Sequence, residues 1–185
     1  MDFLAVVRNR RSVREYTTKP IERAQIERLI DNAILAPSAM NQQPWVFAAL
    51  LDQERIASYA LEAKTWLLAN ISETTFDSAR RILEDRTFVL FHGAPALVLV
   101  MAKSSESQAI EDCCLAAENL LLAARNEGLG SCWIGFARPW LNSPPIKQKL
   151  GFRQEYHVVA PIALGHLTAW PAPDARHSPE IQWLG

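Results

Sequence analysis

Much that would assign this 185-residue sequence to a common class is missing from it. Its net charge is −1, so no whole-chain field draws it to nucleic acid or to a membrane surface. Its most apolar stretch has polar residues at both ends and falls short of the roughly 20 apolar residues in a row that a membrane span needs. No signal core is expected at the N-terminus, because Arg8 to Arg14 interrupts the apolar residues after seven positions. Cysteine is scarce and odd in number: Cys113, Cys114 and Cys132. That suits a reducing cytoplasm better than a disulfide framework, and no spacing resembles a zinc site. Also absent are a Walker loop, a G-x-S-x-G elbow, an H-E-x-x-H pair, internal repeats and linkers. Gly128-x-Gly130 precedes a strand instead of opening a helix, and position 133 is Trp where the dinucleotide fingerprint needs Gly. A Rossmann domain is thereby excluded.

What remains is an ordinary globular balance, 49% hydrophobic and 21% charged, in a chain long enough to bury a core without disulfides. Residues 1–185 are expected to form one domain. The organising stretch is Ala109 to Phe136. From Cys113 to Ala124 only Glu118 and Asn119 are polar, which predicts a helix buried on nearly every side. Ala109 to Asn126 would run about 27 Å. Gly128 and Gly130 end it, and Ser131-Cys132-Trp133-Ile134-Gly135 reads as a strand whose glycine lets a ligand approach the backbone. So buried a helix is either the core of a helical domain or one covered by a second subunit.

Upstream, Asp2 can cap a short helix. It leads into Arg8-Asn9-Arg10-Arg11-Ser12-Val13-Arg14. If this run is extended, Ser12 and Arg14 share a face, with Val13 on the other. Arginine with serine suits a phosphate, although a solvated basic patch has the same composition, and a nucleic-acid module would need a motif that is absent. Ile26, Leu29, Ile30, Ala33 and Ile34 mark one face of a helix between Pro20 and Pro37. A loop of small and amide side chains, Ala36 to Trp45, precedes a strand from Val46 to Leu51. A helix is expected over Asp52 to Leu61, and weakly patterned helix with a charged, solvated face over Lys64 to Phe91. Ala96 to Met101 reads as a strand covered on both faces. A short helix is expected over Ile146 to Leu150. Pro161, inside the strand His157 to Gly165, predicts a bulge or an edge. His92, His157 and His166, at strand borders, are read as satisfied structural residues, and Cys132 as a small buried residue. The tail from His166 has three prolines and ends in Ile181-Gln182-Trp183-Leu184, too apolar to hang in water.

Helices and strands in this order give an α+β or α/β layer fold around a small sheet. Three motifs then converge. Arg10-Arg11-Ser12-Val13-Arg14 follows the first helix. Ala36-Pro37-Ser38-x-x-Asn41-x-Gln43-Pro44-Trp45 precedes the first strand. Gly128-Leu129-Gly130-Ser131-Cys132-Trp133-Ile134-Gly135 follows the long helix. Together they resemble the nitroreductase family of FMN-dependent oxidoreductases, over almost the whole chain.

The resemblance implies an α+β fold, an α/β/α sandwich with a small central mixed sheet, completed as a homodimer whose C-terminal tails are exchanged. It implies that Arg10, Arg11, Ser12 and Arg14 hold the FMN phosphate, ribityl chain and pyrimidine edge. Pro37, Ser38, Ala39 and Asn41 would reach the flavin bound mainly by the other subunit. Trp133, Ile134 and Gly135 would lie by the isoalloxazine, and Arg176 (or its neighbour His177) would join the phosphate. Trp66 and Phe76 are candidates to cover the flavin or to pack the core. The implied activity is transfer of hydride from NADH or NADPH through flavin N5 to a nitroaromatic, quinone or other conjugated small-molecule acceptor in a ping-pong cycle. Arg14 would act as the catalytic donor to the reduced flavin. The alternative is a flavin-binding sensor or carrier without turnover. Neither nucleic acid nor membrane is expected as a partner, no metal is expected, and the location is expected to be cytoplasmic.

Overall fold

A computed structural model describes residues 2–70, 77–173 and 175–185, the side chains of 77–79 aside. Helix α1 (Phe3–Asn9) starts where the Asp2 carboxylate accepts from Ala5 N–H at 2.9 Å. Helix α2 (Arg23–Ala33) opens on a capping box between Glu22 and Gln25 and buries Ile26, Leu29 and Ala33. It ends before Ile34, which is left exposed. Strand β1 (Trp45–Leu50) follows a 3₁₀ turn, Ala39–Asn41.

The stretch expected to be two helical segments is one helix to residue 70, α3 (Gln53–Asn70). Its buried Ile56, Ala60, Ala63 and Leu67 continue one face across the expected break. Then come α4 (Asp77–Glu84), β2 (Ala96–Ala102), α5 (Ser107–Asn126), β3 (Gly130–Trp133), α6 (Arg138–Leu141), α7 (Pro144–Lys149) and β4 (His157–Gly165). Every residue of β2 is buried, as its unbroken apolar run predicts. Gly128, at φ +75°, ends α5 in the left-handed conformation, and Leu129 N–H returns to Ala124 C=O at 2.8 Å. Leu115 departs from the all-round burial expected of α5; it is exposed.

The sheet runs β1-β2-β4-β3, antiparallel at every step. Among the described residues, the parallel pairing of the expected mixed sheet is confined to one bridge, Ser12 to Ser131. Helices α5 and α2 pack with Val98 and Val100 on one face. Residues of α3, α6 and α7 pack with Leu97, Leu99 and Met101 on the other. Strand β4 is an inner strand, so the edge expected at Pro161 is not there. The bulge is: Val100 pairs with Ala160 and Met101 with Val158, leaving Val159 over. Pro161 C=O accepts from Ile134 N–H at 2.7 Å. The proline nitrogen faces that same side, just past the end of β3, where no ladder bond is forfeited. None of the described helices is long and apolar enough to cross a membrane.

Candidate active site

The arginine-rich segment is strapped to β3. Val13 N–H donates to Ser131 C=O at 2.9 Å. The Val13 side chain is buried while Ser12 and Arg14 face solvent, the alternation expected of an extended run. The close approach requires glycine at position 130, where a Cβ would stand 2.8 Å from Val13 Cγ1. Tyr16 anchors the segment from behind. Its hydroxyl donates to Val13 C=O at 2.7 Å, and its ring fills the space beside Gly165. Burial pushes the Tyr16 phenol far above its usual range.

The four polar residues of the motif are not equivalent. Arg10 Nε lies 3.7 Å from Glu118 Oε1. Arg11 turns back on α1, donating from Nη1 to the carbonyls of Arg8 (2.8 Å) and Arg10 (2.6 Å), with its Nε buried and unpartnered. Arg14 is exposed and lines a cleft of about 600 Å³.

One wall of that cleft is Cys132, Trp133, Ile134, Gly135 and Phe136. The other is Ile82 of α4 with Phe88, Leu90 and His92 from the turns before β2. Phe88 meets Phe136 edge-on at 6.4 Å between ring centroids and His92 at 5.9 Å. Lys64 fixes this wall by donating to the carbonyls of Asp85 (2.6 Å) and Phe88 (2.9 Å). The backbone at Gly135 is open: nothing stands within 4 Å of where a Cβ would be. Burial raises the Cys132 thiol pKa against the opposing pull of Arg14, so the residue stays a protonated, packed thiol. His92, read from the sequence as a structural residue, also lines the cleft. Burial, then the Arg14 charge, lowers its pKa from 6.5, leaving the imidazole neutral at pH 7. His166 is a correction to the satisfied residue expected: its Nε2 is buried without a partner.

Pro37, Ser38, Ala39 and Asn41 do not line this cleft. Their loop holds three non-glycine residues in the left-handed region, Met40 (φ 51°), Asn41 (φ 55°) and Gln43 (φ 48°). The key to it is Asp112, whose carboxylate is buried in α5. It accepts from Ala39 N–H at 3.2 Å to each oxygen and from Gln108 Nε2 at 3.1 Å. Ser38 Oγ accepts from Gln43 N–H at 3.0 Å, and Gln43 Nε2 donates to Asn41 Oδ1 at 2.9 Å. The loop enters β1 at Trp45, level with Ala102 on one edge of the sheet, whereas Trp133 is level with Ile162 and Val98 on the other edge. Three strand spacings and four residues along the strand put the two roughly 20 Å apart. Arg176 and His177 lie exposed in the tail and are not among the described residues that line the cleft. Trp66 is half-buried against the core, and Phe76 lies outside the described residues.

Residues 7–166 match the sequence model of the Nitroreductase family. A protein of Archaeoglobus fulgidus, whose provisional name pairs NADH dehydrogenase with NAD(P)H nitroreductase, is 30% identical over 165 residues, covering 89% of this chain and 85% of that one. A 4-nitrobenzoate reductase of Pseudomonas putida is 27% identical over 89% of this chain and 85% of its own. The crystal structure of a nitroreductase with bound FMN from Bacteroides fragilis superposes with a TM-score of 0.84 at 26% identity, covering 98% of each chain.

Proposed function

Because the chain belongs to the nitroreductase family, we propose that it is an FMN-dependent oxidoreductase, using NADH or NADPH to reduce a conjugated small-molecule acceptor. The observation that carries this reading is the exposed Arg14 guanidinium at the edge of an apolar cleft of about 600 Å³ whose far wall is the open backbone at Gly135. Those features suit FMN: a flat ring laid with one face against Trp133–Gly135 and its rim beside Phe88, with a cation at its polar edge. Bound there, FMN would supply two-electron chemistry, taking hydride from one substrate and giving it to the next. The chain's own part is binding and electrostatics. Arg10 and Ser12 would hold the phosphate and ribityl chain. Arg11 would contribute from its backbone, because its guanidinium is spent on Arg8 and Arg10. Arg14 would hold the negative charge that appears at the pyrimidine edge on reduction, a donor role worth about 3–4 kcal/mol in comparable sites. The walls of the cleft exclude water from one face of the ring. The other face stays free for donor and acceptor in turn, which is a ping-pong cycle.

A homodimer is part of the proposal. Phe3, Leu4, Leu35, Met40 and Leu115 are exposed apolar side chains on α1, the loop after α2, and α5. Phe3 and Leu35 line a groove with Leu122 of α5. Such a patch fits an interface. The separation of the 37–41 loop from the cleft supports the same reading, since a second copy would bring Pro37, Ser38, Ala39 and Asn41 to the flavin. The tail, with Trp183 and Leu184 exposed, would wrap the partner and offer Arg176 to the phosphate. We treat 1–185 as one domain working in a reducing cytoplasm, in keeping with its free thiols.

The test is anaerobic stopped-flow reduction of the holoprotein by each nicotinamide, followed by a panel of nitroaromatic and quinone acceptors. Arg14→Ala is expected to weaken FMN binding and slow hydride transfer by two orders of magnitude or more, at about 1.4 kcal/mol per factor of ten. Unchanged values would refute the role of Arg14, and FMN retained without turnover would mark the protein as a flavin carrier.

A further inference from the structure

We infer that His92 is a proton reservoir for this cleft, taking up one proton when the bound flavin is reduced and giving it to the reduced acceptor. The inference rests on the FMN reading above.

Three observations place His92 for such work. Its side chain lines the cleft with Arg14 and Phe88, so it borders the space a flavin would fill. Its backbone sits at φ +54°, which few non-glycine residues adopt and which tends to persist where a side chain must be aimed. Its ring is fixed edge-on to Phe88, itself held through its carbonyl by Lys64.

The charges around it set the direction of proton movement. Arg14 faces it from the N-terminal segment, and the Cys132 thiol lies in the opposite wall. Asp85 shares a smaller recess with Arg14, Phe88 and His92, but its Oδ1 is engaged by Thr87 N–H (2.8 Å) and Oγ1 (2.7 Å). Lys64 lies behind on α3, bound to the Asp85 and Phe88 carbonyls. Before reduction, burial first and the neighbouring Arg14 cation second favour the neutral form of His92. Hydride from the nicotinamide brings two electrons and one proton, leaving one net negative charge on the flavin. An anion beside the imidazole favours its charged form, and His92 takes one proton from solvent. When the hydride passes to the acceptor, the acceptor becomes an anion. The imidazolium N–H bond then breaks, a new O–H or N–H bond forms on the acceptor, and His92 is neutral again. Two electrons and two protons have reached the acceptor, one proton by way of His92.

The experiment measures the midpoint potential of FMN bound to wild type and to His92→Gln between about pH 6 and pH 8. Each proton taken up with two electrons contributes about 30 mV per tenfold change in proton concentration. The inference expects about 60 mV per pH unit in wild type and about 30 in the variant. Equal slopes, or a wild-type slope of about 30, overturn it while leaving the FMN reading intact. A wild-type protein that retains no FMN overturns both. A second readout needs no variant: the His92 ring C–H resonance of the holoprotein at pH 7 should move from the neutral to the imidazolium position on dithionite reduction. A resonance that stays put overturns the inference even if His92→Gln fails to fold.

Discussion

Val13 and Gly130 are fitted to each other: the valine side chain occupies the space a Cβ at position 130 would need, 2.8 Å from Cγ1. The contact lets Ser12 pair with Ser131 and so presents Arg14 to the cleft. Gly130→Ala must push the strap off β3. A loss of about 1–3 kcal/mol in urea unfolding is expected, the usual cost of overpacking a core, with weaker FMN binding by fluorescence titration. An alanine variant that keeps both values would mean the strap does not set the site.

Asp112 should matter more than its place on a helix suggests. Asp112→Ala leaves the Ala39 N–H and the Gln108 amide without their acceptor, a cost of about 1–3 kcal/mol. Because the 37–41 loop is proposed to reach the partner's flavin, FMN affinity should fall with it, while sedimentation still reports a dimer. Asp112→Asn keeps one acceptor oxygen and should lie between.

Stability should rise with pH through the histidine range. Burial lowers the pKa values of His92, His157 and His166 from 6.5 in the folded chain. Below that value the unfolded chain binds more protons than the folded one, so stability is full above it and drains away as pH falls through the folded values. The melting temperature of the flavin-free protein should drop between about pH 7 and pH 5, less steeply in His92→Gln. A flat profile would contradict the burial of these rings.

The thiols should resist alkylation. Burial pushes Cys113 up to about 12 and also raises Cys114 and Cys132. Native protein at about pH 8 should react with iodoacetamide far more slowly than unfolded protein. Rapid labelling of Cys132 would contradict its packed, protonated state.

The elements that surround the cleft were legible because they rest on local signals: the alternation Ser12-Val13-Arg14, the apolar runs of β2 and α5, and glycine at 128 and 130. What stayed hidden depends on contacts between distant residues. Asp112 reads as one polar residue near a helix start, and only the fold brings Ala39 N–H to it, 73 positions away. Tyr16 and Gly165 likewise meet only in three dimensions. That His92 borders the cleft beside Arg14 is also set by the fold, since a histidine at a strand border carries no local sign of it. The continuity of α3 was lost because its hydrophobic face is weakly contrasted, although Ile56, Ala60, Ala63 and Leu67 are regularly spaced. The bulge near Pro161 was legible from proline chemistry, but its inner position was set by strand order, which no local signal encodes.

The central claim is that two copies of this chain hold FMN between the Arg14–Trp133 cleft of one and the 37–41 loop of the other. Sedimentation velocity of the purified protein, followed by visible flavin absorbance, tests it most directly. The account predicts flavin moving with a species of twice the 20.8 kDa chain mass, at one FMN per chain, and its release when the dimer is dissociated. A colourless monomer, or a monomer that binds FMN as tightly as the dimer does, would contradict it.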